Sequence, residues 1–289
     1  MKRVRLAVQL LFTIATNGYL YGFLHGKIYQ GNLKYVCVPG LNCYSCPGAF
    51  GSCPMGALQA LLNQRGFHVP FGILGFFFVV GSLLGRFVCG WLCPFGLVQD
   101  LLHKIPIFHK KKQLPFHHIL KYGKYAILVI FVILGSSLLL GGFAKVPAFC
   151  KYICPSGTLF GALPLLTANK MLRSQAGGLF FWKVGLLLFL LTLSVKVYRP
   201  FCQYLCPLGA IYGWFNRFSL VQIHWEQETC ISCGACEKAC PVALSLHEIS
   251  CSAECIRCGK CVEACPTRCL HLGVRPEDKR QRQSRLRSG

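Results

Sequence analysis

The chain has 289 residues, 54% of them hydrophobic and only 14% charged, with a formal net charge of +22. Such a composition lies far from the soluble globular average and points to a membrane protein. The basic residues gather beside apolar runs, so they read as topology signals and contacts to anionic lipid, not as a nucleic-acid surface.

Four apolar runs, Leu6–Leu24, Phe71–Val88, Tyr125–Phe143 and Leu179–Val197, come close to the roughly 20 residues of helix that cross a hydrocarbon core about 30 Å thick. They predict four transmembrane helices. The first follows "MKRVR" but lacks a small-x-small cleavage site, which favours a retained anchor over a signal peptide. Cationic loops stay cytoplasmic. That rule puts "MKRVR", the stretch from Arg86 to Lys124 and everything after Arg199 inside, with loops 25–70 and 144–178 outside. Both termini are then cytoplasmic, in a multi-pass protein of the cell's inner (cytoplasmic) membrane. Arg86, Lys183 and Lys196 sit near span ends, where long side chains are expected to snorkel to the interface.

A C-P-x-G core occurs four times, beginning at Cys53, Cys93, Cys154 and Cys206. Successive copies alternate outside and inside, so residues 1–110 and 111–220 read as two tandem halves. "CGWLCPFG" (Cys89–Gly96) and "CQYLCPLG" (Cys202–Gly209) each pair two cysteines at i and i+4. That spacing places both thiols on one helical face, after which proline ends the turn. One pair ligates half a cubane, and Cys89, Cys93, Cys202 and Cys206 together supply the four ligands of an inner cluster. On the outer side Cys150 and Cys154 form a complete pair. Cys53 aligns with Cys154, but Ala49 occupies the expected partner position. Cys46 is the chosen substitute, followed by Cys43 and then Cys37. The alternative for the outer thiols is a disulfide in an oxidising compartment.

All acidic residues except Asp100 fall between Glu226 and Asp278, which marks a second domain beginning near 220. "CISCGACEKACP" places Cys230, Cys233, Cys236 and Cys240 in the spacing C-x2-C-x2-C-x3-C-P, and "CIRCGKCVEACP" repeats it with Cys255, Cys258, Cys261 and Cys265. This is the bacterial two-cluster ferredoxin pattern, in which each fourth cysteine ligates the other run's cluster. One [4Fe–4S] cluster is assigned to Cys230, Cys233, Cys236 and Cys265, the other to Cys255, Cys258, Cys261 and Cys240. Zinc is the competing reading of CxxC pairs. Cys251 and Cys269 fall outside the spacing and read as buried thiols.

The expected fold is therefore an α-helical membrane protein with four transmembrane helices in two tandem halves (1–220), a small ferredoxin-like α+β domain (221–272) and a basic tail (273–289). Four spans, paired CxxxCP motifs and a C-terminal two-cluster ferredoxin together resemble the NapH/NosR-type family of ferredoxin-like membrane proteins. The resemblance implies a membrane electron-transfer component associated with quinol oxidation and with redox partners beyond the membrane. It matches Cys89, Cys93, Cys202 and Cys206 to the family's inner motifs.

The leading functional expectation is passage of electrons between the cytoplasmic clusters and the quinone pool or an extracytoplasmic redox partner. Such a chain is an electron-transfer component, with a quinol dehydrogenase subunit as its enzymatic form. The alternatives are a thiol-based copper reductase, because soft sulfur prefers Cu(I), and a redox-sensing assembly or regulatory subunit.

Overall fold

A computed structural model describes residues 1–63, 71–106, 110–136, 146–249 and 252–274. The end of the expected third span, Cys251 and most of the basic tail lie outside these residues.

The fold is largely helical. Two stretches, His117–Leu134 and Gly178–Lys196, are long and apolar enough to cross a membrane, and Phe71–Leu84 is a shorter apolar helix. The first apolar run is not one helix: Lys2–Asn17 stops, and the chain resumes helically at Leu20–His25. The break has a local cause. The Asn17 amide donates back to the Thr13 carbonyl, and the Tyr19 N–H leaves the helix to donate to Gly48 of the cysteine-rich loop. Within His117–Leu134 the last seven residues, Leu128–Leu134, widen into a π-helix.

The CxxxCP motifs are built differently from a single helical face. Cys89 lies in the short helix Phe87–Trp91 and Cys202 in Pro200–Tyr204, and each helix ends before its second cysteine. Cys93 and Cys206 are extended (φ/ψ −84/118° and −78/112°) and cap the helices Pro94–Lys104 and Pro207–Phe215. The reason is the proline. Its ring pushes the preceding residue out of the α region, while its fixed φ suits the first position of the next helix. The motif is thus helix, break, helix, with one thiol on each side of a bend.

Beyond residue 220, strand β1 (Val221–Trp225) pairs antiparallel with strand β2 (Leu270–Val274), Ile223 opposite Leu272. The short helices Ala235–Ala239 and Lys260–Ala264 pack on each other beside this ribbon. The unit is fastened to the preceding helices by its second cysteine run. Asn216 donates to the carbonyls of Ser252 (2.9 Å) and Cys255 (2.7 Å), and the Trp91 indole donates to Arg257 O at 2.9 Å. The fully buried Arg257 reaches back to the carbonyls of Leu84 and Asn216. Gly90 makes the approach possible: a Cβ there would stand 2.2 Å from the Ile256 carbonyl oxygen.

Candidate metal centres

Cys89, Cys93, Cys202 and Cys206 are all buried, and Cys206 lies within electrostatic reach of the other three. The two tandem motifs therefore converge on one place. Around them the halves exchange contacts. Arg86, three residues before Cys89, donates to the Cys202 carbonyl at 2.8 Å; Arg199, three residues before Cys202, donates to the Cys89 carbonyl.

Neither arginine reaches solvent, so the expectation that Arg86 snorkels is corrected. It is held inside by the Cys202 carbonyl and by Glu254, 3.0 Å away, which Lys124 also engages. Arg199 is neutralised by the buried Asp100, which also binds Arg5 at 2.7 Å. Burial alone would raise the Asp100 carboxyl, but the Arg199 and Arg5 charges and their hydrogen bonds outweigh it and hold the group down at about 2. Burial pushes the Cys202 thiol up to about 11 despite Arg199 and Arg86.

A second group forms where the loop before Pro54 meets the chain around residue 150. Cys43, Cys53, Cys150 and Cys154 line one cavity of about 780 Å³. Cys150 is within electrostatic reach of the other three. Cys37 also reaches the cavity wall; Cys46 does not. Cys46 sits inside a turn, its N–H donating to Cys43 O and its carbonyl accepting from Ala49, which buries it within the loop. The position expected for Cys46 is taken by Cys43. Lys183 donates to the Cys150 carbonyl at 3.1 Å and lines the same cavity, so it points inward to the cysteines.

The two groups share a further device. Gln59 and Gln99 each lie six residues after the cysteine of a Cys-Pro-x-Gly core. Gln99 donates to the Cys202 thiol at 3.2 Å and accepts from the Phe201 N–H; Gln59 donates to the Cys150 thiol at 3.4 Å and accepts from the Phe149 N–H.

In the C-terminal unit, Cys240, Cys255, Cys258 and Cys261 line one small cavity. The fourth cysteine of the first run has joined the first three of the second. On the other side Cys230 lies within reach of Cys265 and of Cys236, while Cys233 is exposed. Both runs bend at the same offsets: φ is positive at Ser232 and Arg257, at Gly234 and Gly259, and at Ala243 and Arg268. Four of those residues are not glycine, and left-handed backbone costs a non-glycine residue roughly 1 kcal/mol or more. Loops bent this tightly turn successive thiols toward one centre. Cys269, outside the ligand spacing, is buried with its sulfur 3.3 Å from that of Cys265.

Every described cysteine is a free thiol. Among the described residues, no three His, Cys, Asp or Glu side chains gather around a point as they would around a single ion. Four thiols in each set match the all-cysteine ligation of a [4Fe–4S] cluster. The cavity holding Cys43, Cys53, Cys150 and Cys154 also contains a donor waiting for an acceptor. Asn42 is 2% exposed and lines this cavity, and its Nδ2 has no partner among the described residues.

Comparison with known proteins agrees with this chemistry. A family model described as a 4Fe-4S binding domain matches residues 52–72, 66–115, 125–170 and 179–225, more than half of the chain. Two further models with the same description match 222–245 and 252–271. The chain belongs to this 4Fe-4S binding family and is a ferredoxin-like protein of the NapH/NosR type.

An uncharacterized protein of Methanocaldococcus jannaschii is 31% identical over 179 residues, 59% of this chain and 64% of the relative. The methylamine utilization ferredoxin-type protein MauN of Paracoccus denitrificans is 31% identical over 174 residues, 58% of this chain and 52% of MauN. The regulatory protein NosR of Stutzerimonas stutzeri is 32% identical over 177 residues, 57% of this chain and 21% of NosR. The chain thus spans less than two thirds of each of these relatives. No solved structure matches it.

Proposed function

We propose that the protein is a membrane-embedded electron conduit. It passes electrons between two [4Fe–4S] clusters of the C-terminal unit and a redox partner at or beyond the membrane, through clusters held by the tandem CxxxCP motifs. In this reading Cys230, Cys233, Cys236 and Cys265 hold the first cluster, and Cys240, Cys255, Cys258 and Cys261 the second. Cys89, Cys93, Cys202 and Cys206 hold a third, and Cys43, Cys53, Cys150 and Cys154 a fourth. When bound, the clusters supply one-electron chemistry. The chain's own residues hold them, neutralise their charge with Arg86 and Arg199, and exclude water.

The observation that carries this reading is the seam at Gly90. The residue after Cys89 lies against the carbonyl of the residue after Cys255, so a ligand loop of one cysteine group touches a ligand loop of the next. Four spans, cytoplasmic termini and a quinone or extracytoplasmic protein as the distal partner complete the proposal. They are supported by the basic flanks of the apolar runs and by the ferredoxin-type relative MauN. Anaerobic protein in lipid nanodiscs, reduced at the C-terminal clusters and then offered a quinone analogue, tests it. Reoxidation of the clusters by the analogue, lost in Cys202→Ser, is expected; reoxidation unaffected by Cys202→Ser contradicts it.

A further inference from the structure

A cluster at the cavity near residue 150 is useful only if electrons reach it from the group at Cys89, and a bare hydrocarbon layer about 30 Å thick is too wide for one hop. The structure closes that gap with a short piece of backbone. Gly40 packs directly on the inner motif: a Cβ there would stand 3.1 Å from the Leu92 carbonyl oxygen and 3.2 Å from the Cys93 Cα. The next residue, Leu41, has its backbone beside the Cys93 thiol. Two residues further on, Cys43 lines the other cavity. Two residues of fully extended chain span at most about 7 Å, so one packed contact and a few covalent bonds separate the two groups.

The segment belongs to the first half of the chain and is held by two hydroxyls of the second. The hydroxyl of Tyr212, a fully buried residue on the helix Pro207–Phe215, donates to Pro39 O at 3.1 Å. The Ser156 hydroxyl, two residues after Cys154, donates to Leu41 O at 3.1 Å. Tyr212 stands within electrostatic reach of Cys89 and Cys93 on one side and of Cys53 and Cys37 on the other.

We infer that the segment 39–43, clamped by Tyr212, is the route by which electrons pass between the two cysteine groups of the tandem halves. The inference rests on the function proposed above. With clusters held by the thiols of Cys93 and Cys43 and their partners, the segment would let one electron pass from the first to the second, with no bond made or broken and no proton moved. Tyr212 is a positioning residue in this step: iron–sulfur potentials are too low to oxidise a phenol, so its ring does not carry a hole, and its hydroxyl keeps the segment against Cys93.

The test uses full-length protein, loaded anaerobically, as wild type, Tyr212→Phe and Gly40→Val. Clusters are reduced with substoichiometric dithionite and followed by rapid-freeze EPR, and spin coupling between the two membrane-domain clusters is measured in the fully reduced state. Iron content and midpoint potentials are expected to stay unchanged in Tyr212→Phe while transfer between the two clusters slows severalfold. Gly40→Val, which forces the segment off Cys93, is expected to slow it further and weaken the spin coupling. Should Gly40→Val lose iron, Tyr212→Phe alone decides. Normal iron with unchanged rate and coupling overturns the inference and leaves the proposed function standing. A wild-type protein with no signal from a cluster at Cys43 overturns the inference together with the reading beneath it.

Discussion

Gln59 donates to the Cys150 thiol across 91 positions of sequence, and Gln99 stands in the same relation to Cys202. In both cases the glutamine comes from the first half of the chain and the cysteine from the second, and the amide oxygen takes the N–H of the residue before that cysteine. The two cysteine groups are therefore built on one plan, each closed only when the halves meet. This likeness is a main reason for assigning both to the same kind of cluster.

Removing those amides should tune the clusters before it removes them. Hydrogen bonds to cluster sulfur raise the reduction potential. Gln99→Leu should lower the potential of the cluster at Cys202, and Gln59→Leu that of the cluster at Cys150, each with iron retained. The orphaned Phe201 or Phe149 N–H should also cost about 1–3 kcal/mol of stability. Redox titration followed by EPR, beside thermal unfolding, checks both parts.

The crossed arginines make a stronger demand. Among the described residues, Arg199→Ala leaves the buried Asp100 with Arg5 as its only ion-pair partner, and Arg86→Ala leaves Glu254 with Lys124 as its only one. Breaking a buried ion pair by removing one partner costs about 3–5 kcal/mol. Both variants should lose the cluster at Cys89 and Cys202 while the C-terminal EPR signals persist. Arg199→Lys should not rescue, because one ammonium cannot replace a guanidinium that serves both the Cys89 carbonyl and the Asp100 carboxylate.

Asp100 gives the assembly an acid limit. Its carboxyl is held at about 2 against an ordinary value of 3.8. A depressed carboxyl stabilises fully above its ordinary value, and that contribution fades as pH falls through the folded one. It amounts to on the order of 2 kcal/mol, lost between about pH 4 and pH 2. In Asp100→Asn that acid step should be absent from the unfolding profile, followed by tryptophan fluorescence. The variant should be less stable at neutral pH, because Arg5 and Arg199 lose their counter-charge.

The choice between Cys43 and Cys46 is open to direct test. Cys43→Ser should lose the iron of one cluster, and Cys46→Ser should keep it, as judged by iron content and the EPR of the reduced protein. The opposite pattern would return Cys46 to the ligand set.

How much of this was legible in the sequence depends on the kind of signal. The C-terminal runs were readable because cluster spacing is local: the crossing of Cys240 into the cavity of Cys255, Cys258 and Cys261 follows from the motif. The pairing of Cys89 and Cys93 with Cys202 and Cys206 was also visible, since the repeat was written out twice. The helical face drawn through each CxxxC was wrong because the local rule at Cys-Pro, which bends the chain, overrides the i, i+4 geometry. Alignment put Ala49 at the partner position and left Cys46, Cys43 and Cys37 as substitutes in that order; the turn from Cys43 to Ala49 sets which thiol faces the cavity. Arg86 was misplaced because a cation at a span end usually finds solvent, whereas here its partners, Cys202 and Glu254, lie more than a hundred residues away. Arg86-x-x-Cys89 and Arg199-x-x-Cys202, and the glutamine six residues after Cys53 and Cys93, stood in the sequence as repeated offsets. Their meaning depended on contacts between halves.

The account rests on four clusters in one chain, and an iron and acid-labile sulfide count on anaerobically purified, fully loaded protein tests that most directly. Four cubanes require about sixteen iron and sixteen sulfide per chain. A count near eight, unchanged by Cys202→Ser and by Cys43→Ser, would contradict the account, because it would leave clusters only in the C-terminal unit and no conduit in the tandem halves.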